Sequence, residues 1–146
     1  MRKKKRRRKK WFIPKHRRPP MPACFKNEPQ WGTCRWCNKT IYKDDGAKNK
    51  RRKWHPECLH EFKIVTDFKY AKRQVKKRDK GICKDCGILC RLRSEWQLDH
   101  EKPLIDAAGD ISFWMLKNLS TRCLRCHSKK TLKENKERGK GWFKRG

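Results

Sequence analysis

Residues 83–86 read CKDC, and residues 123–131 read CLRCHSKKT. Each stretch opens with two cysteines separated by two residues, a spacing that presents two thiolates to one metal ion. All-cysteine sites of this kind are closed structural zinc sites, with no open position for a substrate. The pairs therefore predict a zinc site that encloses the 36 residues between them. Its ligands are Cys83, Cys86, Cys123 and Cys126.

A second zinc site is predicted upstream, where the motif CRWC is followed after 17 residues by HPEC. Short strands are expected at 40–42 and 52–54 around a turn at 44–46, and Pro56 suits the first turn of a helix. A knuckle, a hairpin and a helix in this order form a treble-clef-like zinc finger. Its ligands are Cys34, Cys37, His55 and Cys58, with His60 as a poorer alternative to His55.

The nine cysteines are an odd number and do not suit a disulfide framework. Residues 1–10 are nearly all Lys and Arg with no apolar stretch behind them, so they do not resemble a secretory signal. We therefore expect a reducing, cytoplasmic compartment, where closely spaced cysteines bind metal. Two zinc sites leave Cys24 and Cys90 as free thiols with no assigned role.

Charge is the dominant feature of the composition, with 44 Lys and Arg against 15 Asp and Glu and a net charge of +29 over 146 residues. This excess argues against a membrane protein and against an ordinary small-molecule enzyme, and it favours a nucleic-acid partner. Residues 1–20 hold twelve basic and no acidic side chains, so 1–22 is expected to be a disordered basic arm. The predicted phosphate contacts are Lys3, Lys4, Lys5, Arg6, Arg7, Arg8, Lys129 and Lys130.

A further pattern lies between the CKDC and CLRC motifs and directly after the second of them. Residues 96–104 read WQLDHEKPL, Asn118-Leu119 follows, and His127 comes directly after Cys126. The order of CxxC, DH closing a strand, N, and CxxCH leading into a helix resembles the HNH endonuclease family of phages and bacteria. The resemblance covers residues 78–131. It implies a ββα-metal (His-Me finger) fold and a metal-dependent endonuclease that hydrolyses DNA phosphodiester bonds, by nicking or by double-strand cleavage.

The resemblance also implies roles for particular residues. His100 is the general base, a role that a neutral imidazole suits near neutral pH. Asp99 and His127 would hold one divalent ion, which is Mg²⁺, Mn²⁺ or Ni²⁺. Because successive strand residues face opposite ways, Asp99 and His100 serve one site only if the strand ends or twists there. Asn118 would orient His100, hold the loop or join the metal shell, and Arg122 departs from the apolar residue that is commoner before this cysteine.

These patterns predict a small α+β protein stabilised by zinc, in which a treble-clef-like finger precedes an HNH domain. Apolar residues three or four apart within 61–77 predict a helix that joins the two. The family's commonest setting is a phage in a bacterial cell, which makes packaging proteins candidate partners. The expected parts are the arm at 1–22, the finger at 23–62, the linker helix at 63–80, the nuclease domain at 81–135 and a basic C-terminal tail at 136–146.

A non-catalytic zinc-finger protein that binds DNA or RNA is the competing hypothesis. It explains the charge and the cysteines equally well. It does not explain why Asp99, His100, Asn118 and His127 occur together at the family's spacing. We therefore favour the nuclease.

Overall fold

The computed structural model describes residues 18–28 and 30–142, the last three by their backbone alone. Most of the predicted basic arm, including all six of its predicted phosphate contacts, lies outside these residues. Among the described helices, none is long and apolar enough to cross a membrane. The helices are α1 (Pro56–Thr66), α2 (Phe68–Arg78) and α3 (Leu124–Trp142), and the strands are β1 (Trp96–His100) and β2 (Leu119–Cys123). The predicted α+β class is confirmed.

The two strands form an antiparallel hairpin that leads directly into α3. Trp96 lies opposite Cys123, and His100 lies opposite Leu119. The β1–β2–α3 order is the ββα arrangement that the resemblance implied. β1 ends at His100, which meets the condition stated for Asp99 and His100 to serve one site.

The helical stripe within 61–77 is interrupted, so the prediction of one continuous helix there is wrong. α1 ends at Thr66 and α2 begins at Phe68, with Asp67 between them in an extended conformation. One carboxylate oxygen of Asp67 accepts the backbone N–H groups of Lys69 at 2.9 Å and Tyr70 at 3.0 Å. Aspartate stabilises the start of a helix better than its interior, which explains the break.

The N-terminal finger contains the predicted turn, but its hairpin pairs differently. Tyr42 bridges to Lys48 across the turn, whereas 52–54 was predicted to be the second strand. The backbone carbonyls of Arg52 and Lys53 instead accept N–H groups from Gly32 and Arg35, at 2.8 and 3.0 Å. The turn is tight, so the partner of Tyr42 is Lys48, which precedes the predicted strand at 52–54.

Two apolar clusters form the core. In the first, residues of α2 pack on one face of the hairpin, and Val75 and Trp96 are almost completely buried. The second cluster joins the finger to the loop between the strands, and its members come from both: Cys34, Trp36, Ile41, Val65, Ala107 and Trp114. The finger and this loop therefore share a core, although they are far apart in the sequence.

The C-terminal helix is longer than the family resemblance required. α3 continues to Trp142, so the predicted basic tail at 136–146 is helical over its described part. Ion pairs between Lys130 and Glu134 at 2.6 Å and between Lys133 and Glu137 at 4.0 Å lie along this helix. Pairs spaced four residues apart stabilise a helix modestly, which suits a segment that leaves the core.

Candidate metal centres and the cleft beside them

The four predicted ligands of the C-terminal zinc site lie together. The sulfurs of Cys83, Cys86, Cys123 and Cys126 are all within 4.8 Å of one another. Burial raises the pKa of the Cys83 thiol, but backbone N–H groups outweigh it and lower this pKa to about 6. Hydrogen bonds to the neighbouring sulfurs raise the pKa of Cys126 to about 12. Four sulfurs at this spacing can all ionise only if a cation balances their charge, so the cluster has the chemistry of a Zn²⁺ site.

The finger cluster has the same form, with a histidine as one ligand. The ligand atoms of Cys34, Cys37, His55 and Cys58 lie within 4.8 Å of one another. His55 Nδ1 lies 3.4 Å from the Cys37 sulfur, while Nε2 lies 3.2 Å from the Thr40 carbonyl. That carbonyl can only accept, so it assigns the proton to Nε2 and leaves Nδ1 as the ligand atom.

The remaining candidates fall outside both clusters. His60, the alternative ligand, lies with its Nδ1 2.8 Å from the Tyr70 hydroxyl. Cys24 donates to the Arg35 carbonyl at 2.8 Å, and Cys90 is buried with a pKa raised by its burial. The structure thus favours His55 over His60 and leaves two free thiols, as the sequence indicated.

His100 lies at the end of β1 in an open cleft of about 460 Å³ that α3 and the loop after β1 complete. Its ring makes no hydrogen bond or ion pair with any residue that the structure describes. Burial lowers the pKa of His100, the charge of Asp99 opposes this shift, and the charge of Lys130 adds to it. The lowered pKa favours the neutral imidazole, in which one ring nitrogen can accept a proton.

Asp99 and His127 face each other across the same cleft. Asp99 Oδ1 lies 3.5 Å from His127 Nε2. Adjacent ligands of an octahedral Mg²⁺ ion lie about 3 Å apart, since each is about 2.1 Å from the ion. One carboxylate and one imidazole at this separation could hold a divalent ion with open positions, and the assignment of this pair stays a prediction.

Asn118 is buried, and its side chain holds the loop between the strands. Oδ1 accepts the Lys102 N–H at 2.9 Å, and Nδ2 donates to the carbonyls of Lys102 at 3.1 Å and Phe113 at 2.8 Å. All three bonds go to the loop, and among the described residues none goes to His100. Of the three roles predicted for Asn118, this geometry favours holding the loop.

Arg122 has a place in the site that the sequence did not predict. It is 5% exposed and pairs with Asp99, with Asp85 at 2.7 Å and with Glu101 at 3.1 Å. Burial lowers the pKa of Arg122, but the three carboxylates outweigh it and raise this pKa above its ordinary value. The β pairing alone would have shown the contact, because Arg122 lies diagonally from Asp99 on one face of the hairpin.

Lys130 also belongs to the cleft. Its Nζ lies 3.0 Å from Asp99 Oδ2 and donates to the His100 carbonyl at 2.7 Å. Lys129, the other predicted phosphate contact of α3, is exposed. Of the two lysines, Lys129 is therefore the one whose charge is free to meet a phosphate.

The cysteine cluster, the hairpin and the cleft thus lie within one short segment. Residues 83–133 match the family model of the HNH endonuclease. This segment, 51 of the 146 residues, is similar to an HNH endonuclease domain. The match runs from the first cysteine of the C-terminal cluster into α3 and includes His100, Asn118 and His127. No solved structure matches the chain.

Two curated relatives are similar to the chain. The DNA annealing helicase and endonuclease ZRANB3 of Mus musculus is 26% identical to this chain in an alignment that covers 56% of the chain. The Homo sapiens protein of the same name is also 26% identical over 121 residues. The chain spans 11% of the length of these relatives. Neither name mentions a phage or packaging, so those two expectations stay untested.

Proposed function

We propose that this protein is a metal-dependent endonuclease that hydrolyses DNA phosphodiester bonds in the cleft beside His100. One observation carries the proposal: the imidazole of His100, which has no hydrogen-bond partner among the described residues, opens into the same cleft as the Asp99–His127 pair. The HNH domain and the word endonuclease in the names of both relatives support the same reaction.

His100 acts as the general base in this proposal. A water molecule attacks the phosphorus of the scissile phosphate while a nitrogen of His100 accepts its proton. The bond from phosphorus to the 3′ oxygen breaks, and the departing 3′ oxygen takes a proton from solvent water. Burial favours the neutral form of the imidazole, which is the form that can accept a proton at pH 7. A fixed place at the end of β1 limits the motion of this base, which favours one direction of attack.

Asp99 and His127 would hold one divalent ion, Mg²⁺ or Mn²⁺, in this cleft. When bound, such an ion supplies charge stabilisation for the phosphate and the leaving 3′ oxygen. Asp99 offers Oδ1 for this purpose, since Oδ2 is already paired with Arg122 and Lys130. His127 lies in the first turns of α3, which holds its ring opposite β1.

The basic surface supplies contacts to the DNA backbone. Lys129 on α3 and the basic residues before residue 18 are the proposed contacts, because their charge balances phosphate without a need for base recognition. Such contacts position a duplex and carry little sequence information. The proposed enzyme therefore binds DNA broadly and selects where to cut by other means.

A supercoiled-plasmid assay with Mg²⁺ or Mn²⁺ tests the proposal. The wild-type protein should convert supercoiled to nicked or linear DNA, and His100→Ala should lower the rate at least 100-fold, the scale that general-base catalysis contributes. His60→Ala is the matched control, because it removes an imidazole outside the cleft. Zinc content and circular dichroism should be unchanged in both variants.

A wild-type protein that binds DNA but cuts none with any divalent ion would instead be the non-catalytic zinc-finger binder. Equal losses of cleavage in His100→Ala and His60→Ala would also contradict the assignment of His100. The assay thus distinguishes the metal-dependent endonuclease from the non-catalytic zinc-finger protein.

A further inference from the structure

Arg122 contacts three carboxylates, Asp85 of the zinc knuckle and Asp99 and Glu101 at the end of β1. Its Nε donates to Asp85 at 2.7 Å, its Nη2 lies 3.1 Å from Glu101, and its Nη1 binds Asp99 Oδ2. A buried charge is costly unless it is paired and hydrogen-bonded, and the planar guanidinium meets this need with three donors in fixed directions. The position of each carboxylate is therefore tied to that of the other two.

Two of these carboxylates, Asp85 and Asp99, belong to different sites. Asp85 lies inside the CKDC knuckle, between two ligands of the four-cysteine cluster, and Arg122 itself precedes the ligand Cys123. Asp99 lies on β1 and faces His127 across the cleft. The guanidinium of Arg122 is thus a direct connection between the zinc knuckle and the proposed ligand of the divalent ion.

The two oxygens of Asp99 are used differently because of this connection. Oδ2 binds Arg122 and lies 3.0 Å from Lys130 Nζ, whereas Oδ1 faces His127. Rotation of the carboxylate would break both cationic contacts of Oδ2. Arg122 thereby determines which oxygen the cleft receives and limits Asp99 to one ligand atom.

The charge of Arg122 also acts on any ion beside Asp99. It repels a dication, and its effect is reduced by the negative charge of Asp85 and Glu101. Removing the charge of Asp85 therefore leaves more of the positive charge unbalanced near Asp99. Removing the charge of Arg122 has the opposite effect and leaves a surplus of carboxylates.

We propose that Arg122 is a positioning residue that couples the four-cysteine zinc site to the divalent-ion site, because it limits Asp99 to one ligand oxygen and thereby lowers the affinity of Asp99 for the ion. This inference rests on the proposed function, since it takes Asp99 as the ligand of that ion. It assigns a role to the one residue that departs from the family pattern before Cys123.

Mn²⁺ binding to the zinc-loaded full chain tests the coupling without DNA and without any measurement of activity. Free Mn²⁺ can be followed by its electron paramagnetic resonance signal during a titration. Asp85→Asn should weaken Mn²⁺ binding about three- to tenfold, and Arg122→Gln should tighten it by a similar factor. Asp44→Asn is the matched control, because it neutralises an exposed aspartate in the finger turn and should change nothing.

A double variant separates positioning from a long-range effect of charge. If Asp85 acts through the guanidinium, Asp85→Asn should have less effect in the Arg122→Gln background than in the wild type. An equal effect in both backgrounds would overturn the coupling. So would a shift in the same direction for Asp85→Asn and Arg122→Gln, because mere disruption of the fold weakens binding in both.

Two further measurements keep the outcomes distinct. If Arg122→Gln loses zinc, Asp85→Asn decides alone, since the side chain of Asp85 is 39% exposed and its loss is tolerable. Unchanged Mn²⁺ binding in zinc-loaded Asp85→Asn then overturns the inference. If Asp99→Asn leaves wild-type Mn²⁺ binding intact, it is instead the proposed ion site that fails.

Discussion

Asn118 illustrates how a single buried side chain can support a cleft without touching it. We expect Asn118→Ala to destabilise the zinc-loaded protein by about 2–3 kcal/mol, because it leaves buried groups of the loop unpaired. Urea denaturation would measure the loss. Asn118→Asp should be at least as harmful, since a carboxylate cannot donate to the carbonyls of Lys102 and Phe113.

The same variants test whether Asn118 takes part in the reaction. If Asn118→Ala abolished cleavage while the free energy of unfolding stayed the same, the side chain would act on His100 or on the substrate. If the cleavage rate falls only as far as the loss of folded protein accounts for, Asn118 acts by holding the loop. A role of this kind leaves no trace in the sequence, because it depends on contacts to residues 5 and 16 positions away.

Sequence reasoning identified the chemistry-bearing residues better than it identified their contacts. Asp99, His100 and His127 were identified through the resemblance to the HNH family, and the structure places them around one cleft. Arg122 was noticed only as a departure from a pattern. Its partners lie 21 to 37 positions away, and a register is needed to bring them together.

The α1–α2 boundary depends on one carboxylate. We expect Asp67→Ala to destabilise the protein by about 1 kcal/mol, because two N–H groups at the start of α2 lose their acceptor. Thermal unfolding of the zinc-loaded chain would show the change. Asp67→Asn is the control and should stay near the wild type, since asparagine caps helices as well as aspartate does. A loss as large in Asp67→Asn would mean that charge, and not capping, determines the effect.

A second carboxylate connects α2 to β2. Asp79 accepts the backbone N–H of Thr121 at 2.8 Å and pairs with Arg78 at 2.6 Å. Burial raises the pKa of Asp79, but these two partners outweigh it and the pKa is lowered. The stabilisation that Asp79 provides is therefore complete above the unfolded-state pKa of about 3.9 and is lost as the pH falls through the lower folded-state pKa.

Asp79→Asn tests that contribution. At neutral pH it should lower the free energy of unfolding by about 1–3 kcal/mol, the scale of a hydrogen-bonded charge. Denaturant titrations at pH 5 and pH 7 should give the same difference from the wild type, since both lie above the unfolded-state pKa. A difference that shrinks between pH 7 and pH 5 would contradict a lowered pKa.

The positions of elements were predicted correctly where the deciding residues lie within the element itself. Pro56 marked the start of α1, and the turn at 44–46 was placed correctly. The break at Asp67 was missed because the apolar spacing continued across it. The pairing of 52–54 was missed because its partners, Gly32 and Arg35, lie on a distant turn.

The fold of the whole chain is expected to require zinc. Two small apolar clusters and a net charge of +29 leave little free energy to offset the ordering of the chain. Protein purified without chelators should contain two zinc ions per chain by elemental analysis. Removing zinc with a strong chelator should abolish the near-ultraviolet circular dichroism, and Mg²⁺ should not restore it. Retention of the spectrum without zinc would mean that the apolar core suffices.

The basic arm is expected to bind DNA through its charge. Deleting residues 1–20 removes twelve basic side chains, so the affinity for DNA should depend less steeply on salt concentration. Fluorescence anisotropy with a labelled duplex at several ionic strengths would measure the slope. The cleavage-deficient His100→Ala variant allows the comparison with Mg²⁺ present. An unchanged slope would show that the arm does not contact phosphate.

The core shared by the finger and the loop between the strands has a consequence for modularity. A gene segment cut at the borders of the family match, 83–133, would encode Asp99, His100 and His127 but would remove the finger residues that cover Trp114 and Ala107. Recombination at those borders would therefore move residues 83–133 without the finger residues that hold the loop in place. The unit that must be inherited together is longer than the matched residues, because it includes the N-terminal finger.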